Sequence, residues 1–189
     1  MASAAADAHD PLCSLEQNDR RGNDSAATHL VPAITEITMK TIRPITRQKM
    51  IALLNEDLAR EYQAIIGYVV YSQTIKGAKY QHIAGELERH ATEELSHALQ
   101  IAGQIDYFNG TPVVAAKPVK MSGKAEDMLR FDLENERATI IHYRQRIRQA
   151  EAMGEFALSE VLREITVQEQ EHLIDLANAL GIDNPAIVD

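Results

Sequence analysis

The sequence predicts an all-α fold, a four-helix bundle in which two helical hairpins are joined by one long crossover. Four segments carry apolar residues at alternating spacings of three and four, which is typical of helices with one buried face. The apolar pattern of the first two segments recurs in the last two with an offset of 75 residues, so the chain contains an internal repeat of one hairpin. The connection between the halves has no such period and is long enough to run the length of a bundle.

The predicted helices and their connections follow in order along the chain. The helices span residues 46–76, 79–108, 125–152 and 155–180. Gly77 and Gly154 fall in the two hairpin turns, where they permit tight antiparallel connections. Gly181 lies just past the last helix and ends it. The crossover, residues 109–124, contains two prolines and two glycines, which argue against a helix there.

These patterns divide the chain into three regions. Residues 1–42 are predicted to form a disordered N-terminal extension, because they are rich in Ala, Ser, Asp and Asn and show no periodicity. Residues 43–182 form the bundle, and residues 183–189 form a short C-terminal tail. The extension is net acidic, and the sequence leaves open both its role and whether Met39 is the natural start.

Composition and charge exclude several classes of protein. The 189 residues are 45% hydrophobic and carry a formal net charge of -9, which argues against broad attraction to nucleic acid or to an anionic membrane. No apolar run reaches the ~18 to 20 residues of a membrane span. Cys13 is the single cysteine, which excludes an intramolecular disulfide and a multi-cysteine metal site. We therefore expect a cytoplasmic protein with neither nucleic acid nor a membrane as partner.

Six ionisable residues interrupt the apolar faces of the predicted helices, each near the middle of its helix. They are Glu61, Glu94, His97, Glu136, Glu169 and His172. Several isolated carboxylates in one core would cost more free energy than a small domain has, so these groups must be protonated, paired or bound to cations. A shared metal site resolves that cost most simply, and a solvated or protonated polar core is the alternative.

The spacing of these residues supports a metal site. Glu-x-x-His places both side chains on one helix face and occurs twice, at residues 94–97 and 169–172. Glu61 and Glu136 each precede one of these pairs by 33 residues. One Glu from each of two helices, with Glu-x-x-His from each of the other two, is the ligand set of dinuclear iron and manganese sites in bundles. Carboxylates with one imidazole per metal suit Fe or Mn, so all six are candidate metal ligands and catalytic residues.

Three further residues lie beside the six. His90 is one turn before Glu94 on the same face, and we interpret it as a polar core residue, with a ligand or iron-transit role as the alternative. Tyr68 and Tyr143 each fall seven residues after a candidate ligand glutamate. Core packing, with the hydroxyl bonded to a metal-binding carboxylate, is favoured over a redox-active tyrosine.

Four stretches of the sequence resemble the ferritin-like superfamily, and within it the bacterioferritins and the bacterioferritin-like mini-ferritins. The stretches are LNEDLAREYQAIIGYVVY, ELERHATEELSHAL, MLRFDLENERATIIHYR and LREITVQEQEHLIDL, and the likeness covers about residues 47–181. The resemblance implies two Fe ions per subunit, with Mn as the alternative. It implies a ferroxidase that oxidises Fe(II) to Fe(III) with O2 or hydrogen peroxide, and a hollow homo-oligomeric shell that stores and detoxifies iron.

The resemblance also assigns roles to the six residues. Glu94 and Glu169 would bridge the two metals. Each remaining pair would hold one metal: Glu61 with His97, and Glu136 with His172.

The sequence departs from the family pattern at several positions. Leu95 stands where bacterioferritins carry the haem-binding methionine, so no haem is expected. The chain ends soon after Gly181, without room for the fifth helix of 24-subunit shells, so a 12-subunit shell competes with a 24-subunit one. Glu93 matches the acidic partner that orients one ligand histidine in that family, whereas Gln168 does not match it for the other, which leaves the orientation of one imidazole open.

Two other functions stay open beside iron oxidation and storage. One is a non-storage di-iron or di-manganese enzyme of the rubrerythrin-like peroxidase or catalase type, and the other is an oligomerisation module with a vestigial core. The sequence does not decide whether Fe or Mn is loaded, or whether O2 or hydrogen peroxide is the oxidant. Apolar residues on the helix exteriors, among them Ile66, Val69 and Ile141, favour buried contacts between subunits.

Overall fold

The computed structural model describes residues 44–188. These residues form four long helices and no strand: α1 (Arg47–Thr74), α2 (Gln81–Tyr107), α3 (Ala125–Met153) and α4 (Phe156–Leu180). A single 3-10 turn, Ala78–Tyr80, leads into α2. The predicted all-α four-helix fold is confirmed, and the observed helix ends lie within two residues of the predicted ones. The predictions for residues 1–42 lie outside the described residues.

The helices pack as two hairpins. The most extensive packing is between α1 and α2 and between α3 and α4, while α1 also packs on α3 and α2 on α4. The turn between α3 and α4 contains Gly154 in the left-handed conformation, with φ of 77°, and Gly181 caps α4 with φ of 66°. At these two positions a glycine avoids the steric penalty that other residues meet at positive φ.

The crossover runs along α1 and is fixed to it by hydrogen bonds. The side chain of Asn55 accepts a hydrogen bond from the backbone N–H of Val113 at 2.6 Å and donates one to the carbonyl of Thr111 at 3.1 Å. The backbone N–H of Lys117 donates to the carbonyl of Ala59 at 3.0 Å. Further along, side chains of α1 donate to crossover carbonyls: Gln63 to Pro118, and Tyr71 to Lys120. Several polar groups of this long segment without secondary structure are thus satisfied by α1.

Two apolar clusters fill the bundle, one towards each end. The first includes Met50, Leu54, Ile101, Ile147 and Leu162, all at most 8% exposed. The second includes Tyr71, Ile83, Leu87, Leu129 and Leu176, which are at most 4% exposed. On α1, α2 and α4 the predicted polar residues lie between the segments that supply these two clusters, whereas on α3 Glu136 lies between Leu133 and Ile140, which both belong to the second cluster. None of the described helices is both long and apolar enough to cross a membrane.

Contacts near both ends of the described region fix the segments that flank the bundle. The Thr46 hydroxyl caps α1 by accepting the backbone N–H of Lys49 at 3.1 Å. After α4, Arg137 and Arg144 of α3 donate to the carbonyls of Ala186 and Ile187, both at 3.2 Å. The segment after Gly181 therefore lies against α3.

We expect two glycine-to-alanine changes to shift stability in opposite directions. Gly154→Ala should destabilise the fold by about 1 kcal/mol, because alanine must adopt a left-handed conformation there. Gly103→Ala, in the interior of α2 with open space around the position, should stabilise it by roughly 0.5–1 kcal/mol through helix propensity. Thermal melting of the two variants beside the unchanged protein is the measurement. Both changes add one methyl group, so a shift of the same sign in both would contradict this account of the turn.

Candidate metal centre

The structure brings all six predicted residues together in one layer at the middle of the bundle. Each is at most 2% exposed. The four helices contribute them as follows: Glu61 from α1, Glu94 and His97 from α2, Glu136 from α3, and Glu169 and His172 from α4. The spacing of three residues within α2 and within α4 is what turns Glu and His of each pair to the same interior face.

The six side chains form two adjoining groups that share two carboxylates. One group is Glu61, Glu94, His97 and Glu169, and the other is Glu94, Glu136, Glu169 and His172. Within each group one ligand atom from every residue lies within 4.8 Å of the others. Each group can surround one cation, so the layer can hold two.

The shared carboxylates point one oxygen at each imidazole. Glu94 places Oε2 at 3.2 Å from Nδ1 of His97 and Oε1 at 3.0 Å from Nδ1 of His172. Glu169 places Oε1 at 3.2 Å from the first imidazole and Oε2 at 3.7 Å from the second. This is the arrangement that a carboxylate needs to bridge two neighbouring cations.

The layer contains polar atoms that no group in residues 44–188 satisfies with a hydrogen bond of good geometry. Glu61 Oε2, Glu94 Oε1, both oxygens of Glu169 and Nδ1 of His172 are buried without a hydrogen-bond partner of good geometry. Unpaired buried oxygens are costly, whereas two cations would be ligated by these same atoms. The donor set therefore fits a pair of divalent metal ions.

The outer nitrogen of each imidazole has its own partner. Nε2 of His172 lies 2.8 Å from Oε2 of Glu93, and Nε2 of His97 lies 2.8 Å from Oε1 of Gln168. These contacts leave Nδ1 of both rings facing the shared carboxylates. The amide oxygen of Gln168 thus orients the imidazole whose orientation the sequence left open.

Two tyrosines donate hydrogen bonds across the bundle to the two carboxylates that are not shared between the groups, here called the outer carboxylates. The hydroxyl of Tyr68, on α1, donates to Oε1 of Glu136, on α3. The hydroxyl of Tyr143, on α3, donates to Oε1 of Glu61, on α1. Both rings are buried, and this is the hydroxyl-to-carboxylate contact favoured from the sequence.

Burial and mutual charge set the protonation of the layer. Burial, and then the charges of neighbouring glutamates, raise the pKa values of Glu61 and Glu136 well above the ordinary range. Burial acts to lower the pKa of His172, but the neighbouring carboxylates of Glu169 and Glu94 outweigh it and raise that pKa to about 10. The pKa of His97 is raised by the same kind of contact, also against the effect of burial. Without metal, both imidazoles hold protons at neutral pH, and the carboxyls of Glu61 and Glu136 keep their protons to higher pH than ordinary carboxyls do.

His90 also lies against this layer. Its ring is fully buried and stacks on His172 with centroids 4.0 Å apart. It belongs to neither group that can surround a cation in the layer, and its Nε2 faces Asp175 at 3.2 Å.

Sequence reasoning missed a buried charged cluster next to the layer. Asp57 accepts hydrogen bonds from Arg60 and from Nε of Arg146, the latter at 2.9 Å, and all three residues are at most 9% exposed. Asp132 on α3 is buried as well, with Oδ2 unpaired. The repeat offered the signal, because the two aspartates are 75 residues apart and each lies one turn before a glutamate of the layer.

Comparison with known proteins agrees with this geometry. Residues 51–183 match the family model of the ferritin-like domain. The chain belongs to the ferritin-like family. It is 27% identical to a bacterioferritin of Desulfovibrio desulfuricans over 128 residues, which cover 67% of this chain and 72% of that protein.

Solved structures of ferritin-like proteins show the same fold. A ferritin-like, diiron-carboxylate protein of Bacillus anthracis superposes with a TM-score of 0.69 at 32% identity, covering 71% of this chain and 96% of the other. A bacterioferritin-related protein of Bacteroides fragilis, described as a dodecameric thioferritin, superposes with a TM-score of 0.68 at 25% identity, covering 72% and 87%.

Removing the hydrogen-bond partner of the outer nitrogen of one imidazole should lower the metal affinity of one cation position only. Gln168→Leu takes away the acceptor for Nε2 of His97, and we expect the affinity of that position for Co(II) to fall roughly 10- to 100-fold. Anaerobic Co(II) titration followed by visible absorption is the measurement. Gln170→Leu, the same chemical change on the exposed side of α4, is the control. If both variants bind Co(II) like the unchanged protein, the role given to Gln168 is wrong.

Metal loading should release protons. Both imidazoles hold protons in the metal-free chain, and the raised pKa values of Glu61 and Glu136 favour protons on those carboxyls as well, so two divalent ions should displace about two or more protons per chain. Metal affinity should therefore fall as the pH falls. A pH indicator in weakly buffered solution measures the release during anaerobic loading. A release no greater than that of the Glu94→Gln, Glu169→Gln double variant would contradict the protonation described here.

Proposed function

We propose that this ferritin-like protein is a ferroxidase that oxidises Fe(II) at the six-residue layer and stores the resulting Fe(III). The observation that carries the proposal is the placement of Glu94 and Glu169, each with one oxygen towards either imidazole. Family membership supports it, as do relatives named as a bacterioferritin and as a diiron-carboxylate protein.

The donor set suits iron as the substrate. Four carboxylates and two imidazoles provide hard oxygen ligands and one borderline nitrogen for each cation position, which favours Fe or Mn. Two Fe(II) ions held side by side can give up two electrons together. With hydrogen peroxide as oxidant, two Fe(II) become two Fe(III) and one peroxide becomes two hydroxide ions. With O2, two such pairs supply the four electrons that reduce one O2 to water.

The contacts within the layer support a role for each of its residues. Glu61 with His97, and Glu136 with His172, would hold one iron each, while Glu94 and Glu169 would contact both. Tyr68 and Tyr143 hold the two outer carboxylates in place through their hydroxyls. No haem is part of the proposal, since Leu95 occupies the position of the methionine that binds it in bacterioferritins.

Storage requires that copies of the chain assemble into a shell of 12 or 24 subunits. Large apolar side chains on the outer faces of α1 and α2 support assembly: Ile66, Val69, Leu95 and Leu99 are 45–67% exposed. Apolar surface of this kind marks contacts between proteins. The Bacteroides fragilis relative is itself described as dodecameric.

Aerobic addition of Fe(II) to the metal-free protein tests the proposal. The unchanged protein should oxidise Fe(II) faster than buffer does, and the Glu94→Gln, Glu169→Gln double variant should oxidise it at the rate of buffer, because both shared carboxylates are lost. Glu164→Gln, an exposed change on α4, should keep the full rate. Equal rates in all three proteins would overturn the ferroxidase.

The iron retained after desalting separates storage from oxidation alone. Retention far above two ions per chain supports a mineral-storing shell. Retention that stops at about two ions per chain, with rapid oxidation, would instead indicate a dinuclear enzyme without storage.

A further inference from the structure

A second cluster of ligand-type side chains lies between α2 and α4, outside the six-residue layer. It consists of Glu86, His90 and Asp175, whose nearest ligand atoms all lie within 4.8 Å of one another. The imidazole of His90 is fully buried, while Glu86 and Asp175 are 28% and 33% exposed. The cluster therefore has a buried nitrogen at its base and two carboxylates towards solvent.

The solvent side of the cluster opens into a surface cavity of about 320 Å³. Glu86 and Asp175 line this cavity together with His82, which is 91% exposed, and Asn178. An ion in solution can thus reach both carboxylates without any movement of the helices.

The inner side of the cluster touches the six-residue layer. The ring of His90 stacks on the ring of His172, and Glu93 lies between the two sites, with Oε2 at 2.8 Å from Nε2 of His172. His90, Glu93 and His172 also bring ligand atoms within 4.8 Å of one another. A chain of ligand atoms therefore links the cavity to the layer.

A guanidinium group now occupies the position of a cation at this cluster. Arg89 places Nε at 2.9 Å from Glu86 and Nη2 at 3.0 Å from Asp175 and 3.3 Å from Nε2 of His90. Its Nη1 lies 2.7 Å from Glu93. The side chain is 43% exposed, so the guanidinium has a path to solvent when a metal ion takes its place.

The internal repeat shows that the cluster is not a consequence of the fold alone. The residues 75 positions away from Glu86, His90 and Asp175 are Val161, Ile165 and Gln100. Valine and isoleucine offer no ligand atom, so the other half of the bundle has no such cluster although its backbone is equivalent.

We propose that Glu86, His90 and Asp175 form a third metal site, which takes a divalent transition metal ion when the Arg89 side chain swings away. Two carboxylates and one imidazole suit the same metals as the layer does. Binding here does not depend on the ferroxidase. Use of the site to deliver Fe(II) to the layer is an extension that rests on the proposed function.

Equilibrium dialysis of the full chain against Co(II), without oxygen, tests the site by counting ions bound per chain. The unchanged protein should bind two ions strongly and one more weakly. Asp175→Asn should lose the weak ion and keep the two strong ones. Glu164→Gln removes the same charge elsewhere on α4 and should keep all three. Loss of the weak ion in both variants would show adventitious binding to an acidic surface and overturn the site.

Arg89→Gln should change the affinity for the weak ion in the opposite direction to Asp175→Asn. Removing the guanidinium leaves the carboxylates without their competing cation, so the weak ion should bind roughly tenfold more tightly. Weaker or unchanged binding in Arg89→Gln would contradict displacement of this side chain. If neither Arg89→Gln nor the unchanged protein binds a third ion, displacement of this side chain is contradicted as well.

The Glu94→Gln, Glu169→Gln double variant separates the test of the third site from the test of the ferroxidase. Glu94→Gln with Glu169→Gln should lose the two strong ions and keep the weak one. If the unchanged protein fails to oxidise Fe(II) but still shows a weak ion sensitive to Asp175→Asn, the proposed function fails while the third site stands. If oxidation is rapid and no third ion binds, the third site fails while the proposed function stands.

Discussion

The structure depends on one constraint, the burial of four carboxylates and two imidazoles in a single layer across the bundle. In a medium of low dielectric constant such groups are stable only with charges of opposite sign or with cations between them. The metal-free layer meets this constraint with protons, because the pKa values of both imidazoles and of two carboxyls are raised. Apolar clusters on both sides exclude water and hold the four helices at the separation that the layer requires.

The internal repeat explains why the layer has two equivalent halves. Each hairpin supplies one glutamate from its first helix and a Glu-x-x-His pair from its second, so pairing the hairpins produces two cation positions with shared carboxylates between them. The tyrosines follow the same rule, since each hydroxyl binds the glutamate of the other hairpin. A gene that encodes one hairpin twice can therefore build a dinuclear centre without a separate design for each metal.

Departures from the repeat give the two halves different properties. Gln168 stands where the first hairpin has Glu93, so one imidazole faces a neutral amide and the other a carboxylate. A carboxylate increases the basicity of the imidazole that it contacts, which would make the His172 position the stronger electron donor to a bound metal. Ile165 stands where the first hairpin has His90, and Val161 where it has Glu86, so the cluster beside His172 has no counterpart at the equivalent positions of the second hairpin. Asp57 is held by two arginines, whereas Asp132 has none among its hydrogen-bond partners in the described residues.

The sequence by itself determined the four helices, the repeat and the six residues that share the layer. Helical periodicity fixes which face a residue occupies, and Glu61 or His172 on an apolar face can only point into the core. The tertiary structure alone decided which oxygen of Glu94 faces which imidazole, that Gln168 contacts His97, and that His90 stacks on His172 while its Nε2 faces Asp175. These contacts join different helices, and their lengths depend on how far apart and how rotated the helices pack. Spacing along one helix carries no information about that.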